Sequence, residues 1–192
     1  MSFIQAFELG LWNAWIFTLP FFILPFIGSI FIKKRNMTSL SEYISEFSNR
    51  GKILLLLLVI AIMGSYIYSI FLPIKLGTVW FYIGFVIYIV GLSIQIIAWQ
   101  NLTTSPVDTP VTKGVYRISR NPMYIGDFFV FISIAIACLS WIFLLISIIS
   151  VINNYISVIS EERECLVKYG DSYKEYMDRI PRWIGKPKSE KL

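Results

Sequence analysis

Charged residues divide the chain into long apolar stretches. Residues 9–32, 53–72, 78–99 and 128–160 contain no Asp, Glu, Lys or Arg. The first three are 24, 20 and 22 residues long, and about 20 apolar residues in a helix cross a hydrocarbon core of roughly 30 Å. Each is expected to form one membrane-crossing helix, the first kinked at Pro20 and Pro25. Between the first two, Lys33, Lys34 and Arg35 end the apolar run, and the segment 39–47 has the apolar spacing of a short helix lying on the membrane surface. The third span carries Gly84 and Gly91 in phase with Gly77 and Ala98, a small-residue stripe that lets a neighbouring helix come close.

The fourth run is different. Its 33 residues would make one helix about 50 Å long, too long for a single crossing. It must fold back, although the only local break signal is Leu139-Ser140-Trp141. Charge supplies the stronger argument. With a hairpin at that point, 16 of the 17 Lys and Arg residues fall on one membrane face and only Lys75 on the other. A single crossing would place the basic tail opposite the basic loops, against the positive-inside bias. The expectation is an all-α integral membrane protein of about five transmembrane helices, the last two a helical hairpin with its first arm near 123–139, and a cytoplasmic helical C-terminal tail. It forms a single membrane domain over 1–192, with three spans and an interfacial loop at 33–52 in residues 9–99. A cofactor-binding loop, the hairpin and the C-terminal helices follow in 100–192.

Composition agrees, with 56% hydrophobic residues and a mean hydropathy of +0.68. The net charge of +5 sits between apolar spans, so it points to lipid headgroups and not to nucleic acid. The absence of histidine, with two cysteines and no CxxC, removes histidine-based metal sites and catalytic triads, and no metal is expected.

Folding the last run into a hairpin brings two polar clusters together at one membrane surface. Gly114, Arg117, Arg120, Asn121, Pro122, Tyr124, Gly126 and Asp127 precede or open the first arm; Glu161, Glu162 and Glu164 follow the second. A charged pocket at the edge of a bilayer is costly to build for structure alone. Glycine permits close backbone approach, and Asn121-Pro122 gives the arm a rigid start. Beyond Glu161 the helix is expected to run to Gly170, with another from Asp171 closed before Pro181. Tyr169, Tyr173 and Tyr176 would share a face there, lying on the membrane or closing over a cofactor.

The phrase Thr112-x-Gly114-x-Tyr116-Arg117-x-x-Arg120-Asn121-Pro122-x-Tyr124-x-Gly126, then Glu161-Glu162, then Tyr169-Gly170-x-x-Tyr173-x-x-Tyr176 ending in Ile180-Pro181-Arg182, resembles the isoprenylcysteine carboxyl methyltransferase family, in a short prokaryotic form. The likeness covers roughly the C-terminal half. It implies S-adenosylmethionine as cofactor and S-adenosylhomocysteine as product. It also implies a lipid-linked small-molecule or protein C-terminal acceptor reaching the site from the bilayer, and an active site on the cytoplasmic side of the membrane. Carried over by position, cofactor-binding residues are Gly114, Tyr116, Arg120, Asn121, Pro122, Tyr124, Gly126, Glu161, Glu162, Tyr173 and Tyr176. The residues expected at the reacting carboxylate are Arg120, Asn121 and Arg182.

Asn121 departs from the family, which has histidine there; asparagine donates a hydrogen bond but is neither a base nor a charge at neutral pH. Ester formation tolerates that, because a carboxylate is already ionised at pH 7 and needs alignment and desolvation, not a base. An arginine would orient it. An amine acceptor would have to lose a proton first. The alternatives are a phospholipid or other amine N-methyltransferase, an NADPH-dependent sterol-type reductase suggested by the Asn121-to-Asp127 phrase, and a non-enzymatic membrane protein with lipid-binding basic loops.

Overall fold

A computed structural model describes residues 9–20, 23–24 and 49–185. The expected surface helix at 39–47, Pro25 and much of the first span lie outside them. Among the described residues the regular structure is helical: residues 15–20, α1 (Asn49–Phe71), α2 (Val79–Thr103), a 3-10 turn (Gly114–Arg117), α3 (Pro122–Cys138), α4 (Trp141–Tyr169) and α5 (Asp171–Arg179). α2 and α4 are each long and apolar enough to cross a membrane; α3 and residues 59–71 of α1 are shorter apolar helices.

The long fourth run does fold at the weak signal. Pro122 occupies the first turn of α3, where its missing N–H costs nothing. The helix ends in Leu139, a non-glycine residue at φ 53°. That left-handed conformation costs about 1–2 kcal/mol, and two backbone bonds offset it, Leu139 N–H to Ile136 O at 3.1 Å and Ser140 N–H to Ala135 O at 2.9 Å. The Ser140 hydroxyl then accepts the Phe143 N–H at 3.2 Å and starts α4.

α2 runs one turn beyond its expected end at Trp99. Polar residues finish it, with the hydroxyls of Thr103, Thr104 and Ser105 donating to the carbonyls of Gln100 and Asn101. The loop therefore begins after Thr103 and not at Gln100.

α2 and α3 pack closely along the small-residue stripe. A Cβ added at Gly84 would stand 2.7 Å from both Ala137 Cβ and Ser133 O, and one at Gly91 would stand 2.8 Å from Phe129 Cβ. Gly77 is not part of that seam; it is an exposed turn glycine at φ 74°. The core gathers Val130, Phe131, Ile134 and Cys138 of α3 with Phe143 of α4, Tyr88 of α2, Leu72 and Phe17. Less than a third of the apolar window of α2 or α4 is buried, leaving Val86, Val90, Leu145 and Ile152 facing outward.

The two ends of the bundle are unlike. At one, Ala14 N–H bonds Leu72 O at 2.8 Å, Ile74 N–H bonds Trp12 O at 3.1 Å and Lys75 N–H bonds Ala137 O at 3.1 Å. This end is sealed by backbone. The polar residues gather at the other, where α2 ends, α3 begins and α4 emerges.

Candidate functional site

Glu162 is the centre of that polar end. It is 3% exposed, and Oε2 accepts Nε and Nη2 of Arg182 at 3.1 and 2.7 Å. Oε1 accepts Asn121 Nδ2 at 3.1 Å and lies 3.4 Å from Arg120 Nη2. Two guanidinium groups thus share one carboxylate, and the cluster keeps an excess positive charge. The Arg182 side chain is 32% exposed and meets water, whereas that of Arg120 is 8% exposed. Arg120 Nε and Nη1 are buried without a hydrogen-bond partner among the described residues. Such donors are costly to leave unmade.

The C-terminal segment is tied over the loop leading into α3. Arg120 N–H donates to Pro181 O at 3.0 Å, and Ser119 Oγ and Asn121 Nδ2 donate to Arg182 O at 3.0 and 3.3 Å. The Tyr176 hydroxyl donates to Tyr116 O at 2.7 Å and the Tyr169 hydroxyl to Val107 O at 3.2 Å. Tyr173 and Tyr176 are buried with Ile180, their rings 5.8 Å apart, and Tyr169 packs beside them, so the three tyrosines do share a face. Burial pushes the pKa of both Tyr173 and Tyr176 upward, which keeps their hydroxyls protonated. The carboxylate of Glu162 raises that of Arg182 further above its ordinary value.

Glu161 faces the other way. Successive helical residues point about 100° apart, and Glu161 is exposed where Glu162 is buried. The Tyr124 hydroxyl donates to Glu161 Oε1. One turn further along α3, Asp127 Oδ1 accepts Gln95 Nε2 from α2.

The expected residues therefore separate into groups. Arg120, Asn121, Glu162 and Arg182 form one ion cluster, and Tyr124 joins Glu161. Tyr173 and Tyr176 belong to the C-terminal strap, residues 169–182, and Tyr116 lies beneath it in the 3-10 turn, while Pro122 is buried at the start of α3. The two glycines approach protein atoms. Gly114 sits at φ 58° with an added Cβ only 2.2 Å from Asn101 Nδ2, and Gly126 would meet Gln95 Cγ at 2.5 Å and Gly91 O at 2.9 Å. Arg117 is exposed and outside the cluster. Gln95 and Ser119 were not among the expected residues. A lone amide within the third apolar run was a signal for Gln95; nothing local marked Ser119.

A family model for phospholipid methyltransferase matches residues 72–172, more than half of the chain. The chain belongs to the phospholipid methyltransferase family. No curated protein matches it. This methyltransferase is a membrane protein whose family uses S-adenosylmethionine, an activity shared by the resemblance drawn from its motifs and by the match. The matched span includes Arg120, Asn121, Glu161 and Glu162 of the methyltransferase but ends before Tyr173, Tyr176 and Arg182.

Proposed function

We propose that the protein transfers a methyl group from S-adenosylmethionine to the amine head of a lipid that stays in the bilayer. The carrying observation is the distribution of charge. Arg182 and Nη2 of Arg120, groups that would suit an acceptor carboxylate, are turned onto Glu162, while the exposed side chain held by Tyr124 is the carboxyl of Glu161. An outward carboxylate attracts an ammonium and repels an acid.

The residues also fit the cofactor. Its methionyl carboxylate matches the two unpartnered donors of Arg120 and the cluster's excess positive charge, and Glu161 suits its ammonium or ribose hydroxyls. When bound, S-adenosylmethionine supplies a methyl group on a sulfonium, electrophilic without activation by the protein. The strap of residues 169–182 shields Arg120 and Glu162 from water, and the seam between α2 and α3 fixes the helices that carry the polar groups. Five crossings with the C terminus and site on the cytoplasmic side complete the reading, supported by the bias of Lys and Arg to one face. The acyl or prenyl chain of the acceptor would stay among the helices, each buried methylene contributing about 0.8 kcal/mol.

One observation favours a second acceptor. The two unpartnered donors of Arg120 would equally hold the carboxylate of a lipid-linked, prenylated cysteine, the acceptor implied by the motif resemblance, and an ester needs no proton acceptor. Labelled methyl transfer in detergent, offered separately to a short-chain phosphatidylethanolamine and to a prenylated cysteine, tests the two. Base-stable label on the phospholipid supports the amine reading. Label released by base as methanol, from the cysteine alone, replaces it with ester formation.

A further inference from the structure

Asp127 is a carboxylate that neither the ion cluster nor the residues suited to the cofactor employ. It lies five residues beyond Pro122, about 8 Å along the axis of α3 from the start of that helix. It is half-buried, and its partner Gln95 is 4% exposed. Among the described residues the groups that act on it are Gln95 from α2, Tyr66 from α1 and Glu161 from α4, none of them a cation. A carboxylate inside an apolar helix without a counter-ion is expensive, and such residues mark pathways or substrates.

Its placement is built. Gly126 and Gly91 bring α2 and α3 so close that Gln95 packs against the α3 backbone, which aims its amide at Asp127. Tyr124, Asp127 and Phe131 follow one face of α3 at helical spacing. Phe131 meets Tyr66 at the inner end, with ring centroids 6.3 Å apart, and Tyr124 meets Glu161 at the outer end. Asp127 thus stands between the apolar interior and the exposed glutamate, which is the depth at which the head of an embedded lipid meets the site.

We propose that Asp127 is the binding site and proton acceptor for the acceptor's amine; the proposal rests on the amine reading above. The lipid ammonium supplies the missing counter-ion and gives one proton to Asp127. The nitrogen lone pair released in this way attacks the sulfonium methyl, so that a C–N bond forms as the C–S bond breaks and sulfur keeps the electron pair. The proton leaves past Tyr124 to Glu161 and water.

The test compares Asp127→Asn, Asp127→Glu and the wild type on short-chain phosphatidylethanolamine. The Asn variant can still accept the Gln95 bond but carries no charge. It is expected to lose about 100-fold in kcat/KM while thermal unfolding and S-adenosylmethionine affinity stay at wild-type values. Its deficit should shrink as pH rises from 7 to 9, because the un-ionised fraction of an amine with a pKa near 10 grows about tenfold per pH unit. A merely structural loss would not depend on pH. In the cofactor-free protein, binding of the same phospholipid, read by tryptophan quenching, should weaken about tenfold. Asp127→Glu should restore part of both.

Wild-type N-methylation with an unimpaired Asn variant overturns the role of Asp127 and leaves the amine reading standing. A wild type that labels only the prenylated cysteine overturns both. If the Asn variant does not purify folded, Gln95→Ala keeps the carboxylate and releases its holder. It should lower kcat at unchanged cofactor affinity, and an unchanged kcat would overturn the proposal.

Discussion

Glu162→Gln removes one charge from the centre of the polar end and turns the oxygen that faces Arg182 into an amide donor. The side chain keeps its size and can still accept from Asn121, but two guanidinium groups lose their counter-ion. They will not suffer equally. Arg182, with a side chain 32% exposed, can turn to water, and its share of the pair is screened to less than about 1 kcal/mol. Arg120, at 8% exposure and with Nε and Nη1 already unpartnered, has no such outlet. Breaking a buried pair by removing one partner costs about 3–5 kcal/mol, and only Arg120 is fully caught, so about 3 kcal/mol is the expected loss. For a chain of 192 residues that corresponds to a fall in Tm of about 6–12 °C. Thermal unfolding in detergent measures it, and proteolysis should show the segment 180–185 released before the rest. The double variant Arg120→Gln with Glu162→Gln should recover part of the loss, because the uncompensated charge is gone. A Glu162→Gln protein that melts within about 1 °C of wild type, or a double variant no better than the single one, would refute the buried-charge argument.

Two further predictions concern packing and pH. Gly84→Ala drives a Cβ to 2.7 Å from Ser133 O, which is backbone and cannot step aside, so α2 and α3 must separate at a cost of about 1–3 kcal/mol. Gly64→Ala, whose Cβ would meet no atom of the described residues within 4 Å outside its own stretch of helix, should instead gain about 0.5–1 kcal/mol from helix propensity, and paired melts of the two variants check the contrast. The strap should be sensitive to alkali. The folded-state pKa of Tyr173 and Tyr176 is raised above the unfolded value near 10, so their contribution is complete below about pH 10 and declines above it as the unfolded chain ionises first. Proteolytic protection of residues 171–185 should be level from pH 7 to 9 and fall beyond 10. Tyr176→Phe should lower that protection by about 1 kcal/mol from pH 7 to 9, for the lost bond to Tyr116 O, and blunt the alkaline fall.

The hairpin was legible in the charge distribution before any turn residue announced it. The bias of basic residues to one face acts over the whole chain, whereas the actual corner is made by Leu139 in a conformation that leucine rarely adopts. The tail was legible because Gly170 and Pro181 punctuate it. The end of α2 was not, since the hydroxyls that extend it to Thr103 read equally well as loop residues. In the site, the residue types were legible and their assignments were not. Nothing in Gly114 or Gly126 tells whether the close neighbour is a ligand or another helix, and here the neighbours are Asn101 and Gln95. Ser119 holds the Arg182 carbonyl from 63 residues away, a pairing that only tertiary structure creates.

The adjacent glutamates show most directly why the parts must cooperate. Neighbours on a helix point about 100° apart, and in this Glu-Glu pair one carboxylate turns inward and the other outward. The inward one, Glu162, cannot remain buried alone. It draws Arg120 from the loop before α3 and Arg182 from beyond the segment matched by the family. Because Arg182 also lends its backbone carbonyl to Ser119 and Asn121, neutralising Glu162 and fastening the strap are the same event. The outward Glu161 is thereby left beside Tyr124, and its position is only as firm as the cluster behind it. On the proposed function, stability and recognition are coupled through one turn of α4, and damage to Glu162 should disturb the ligand binding proposed at Glu161 without touching the ligand.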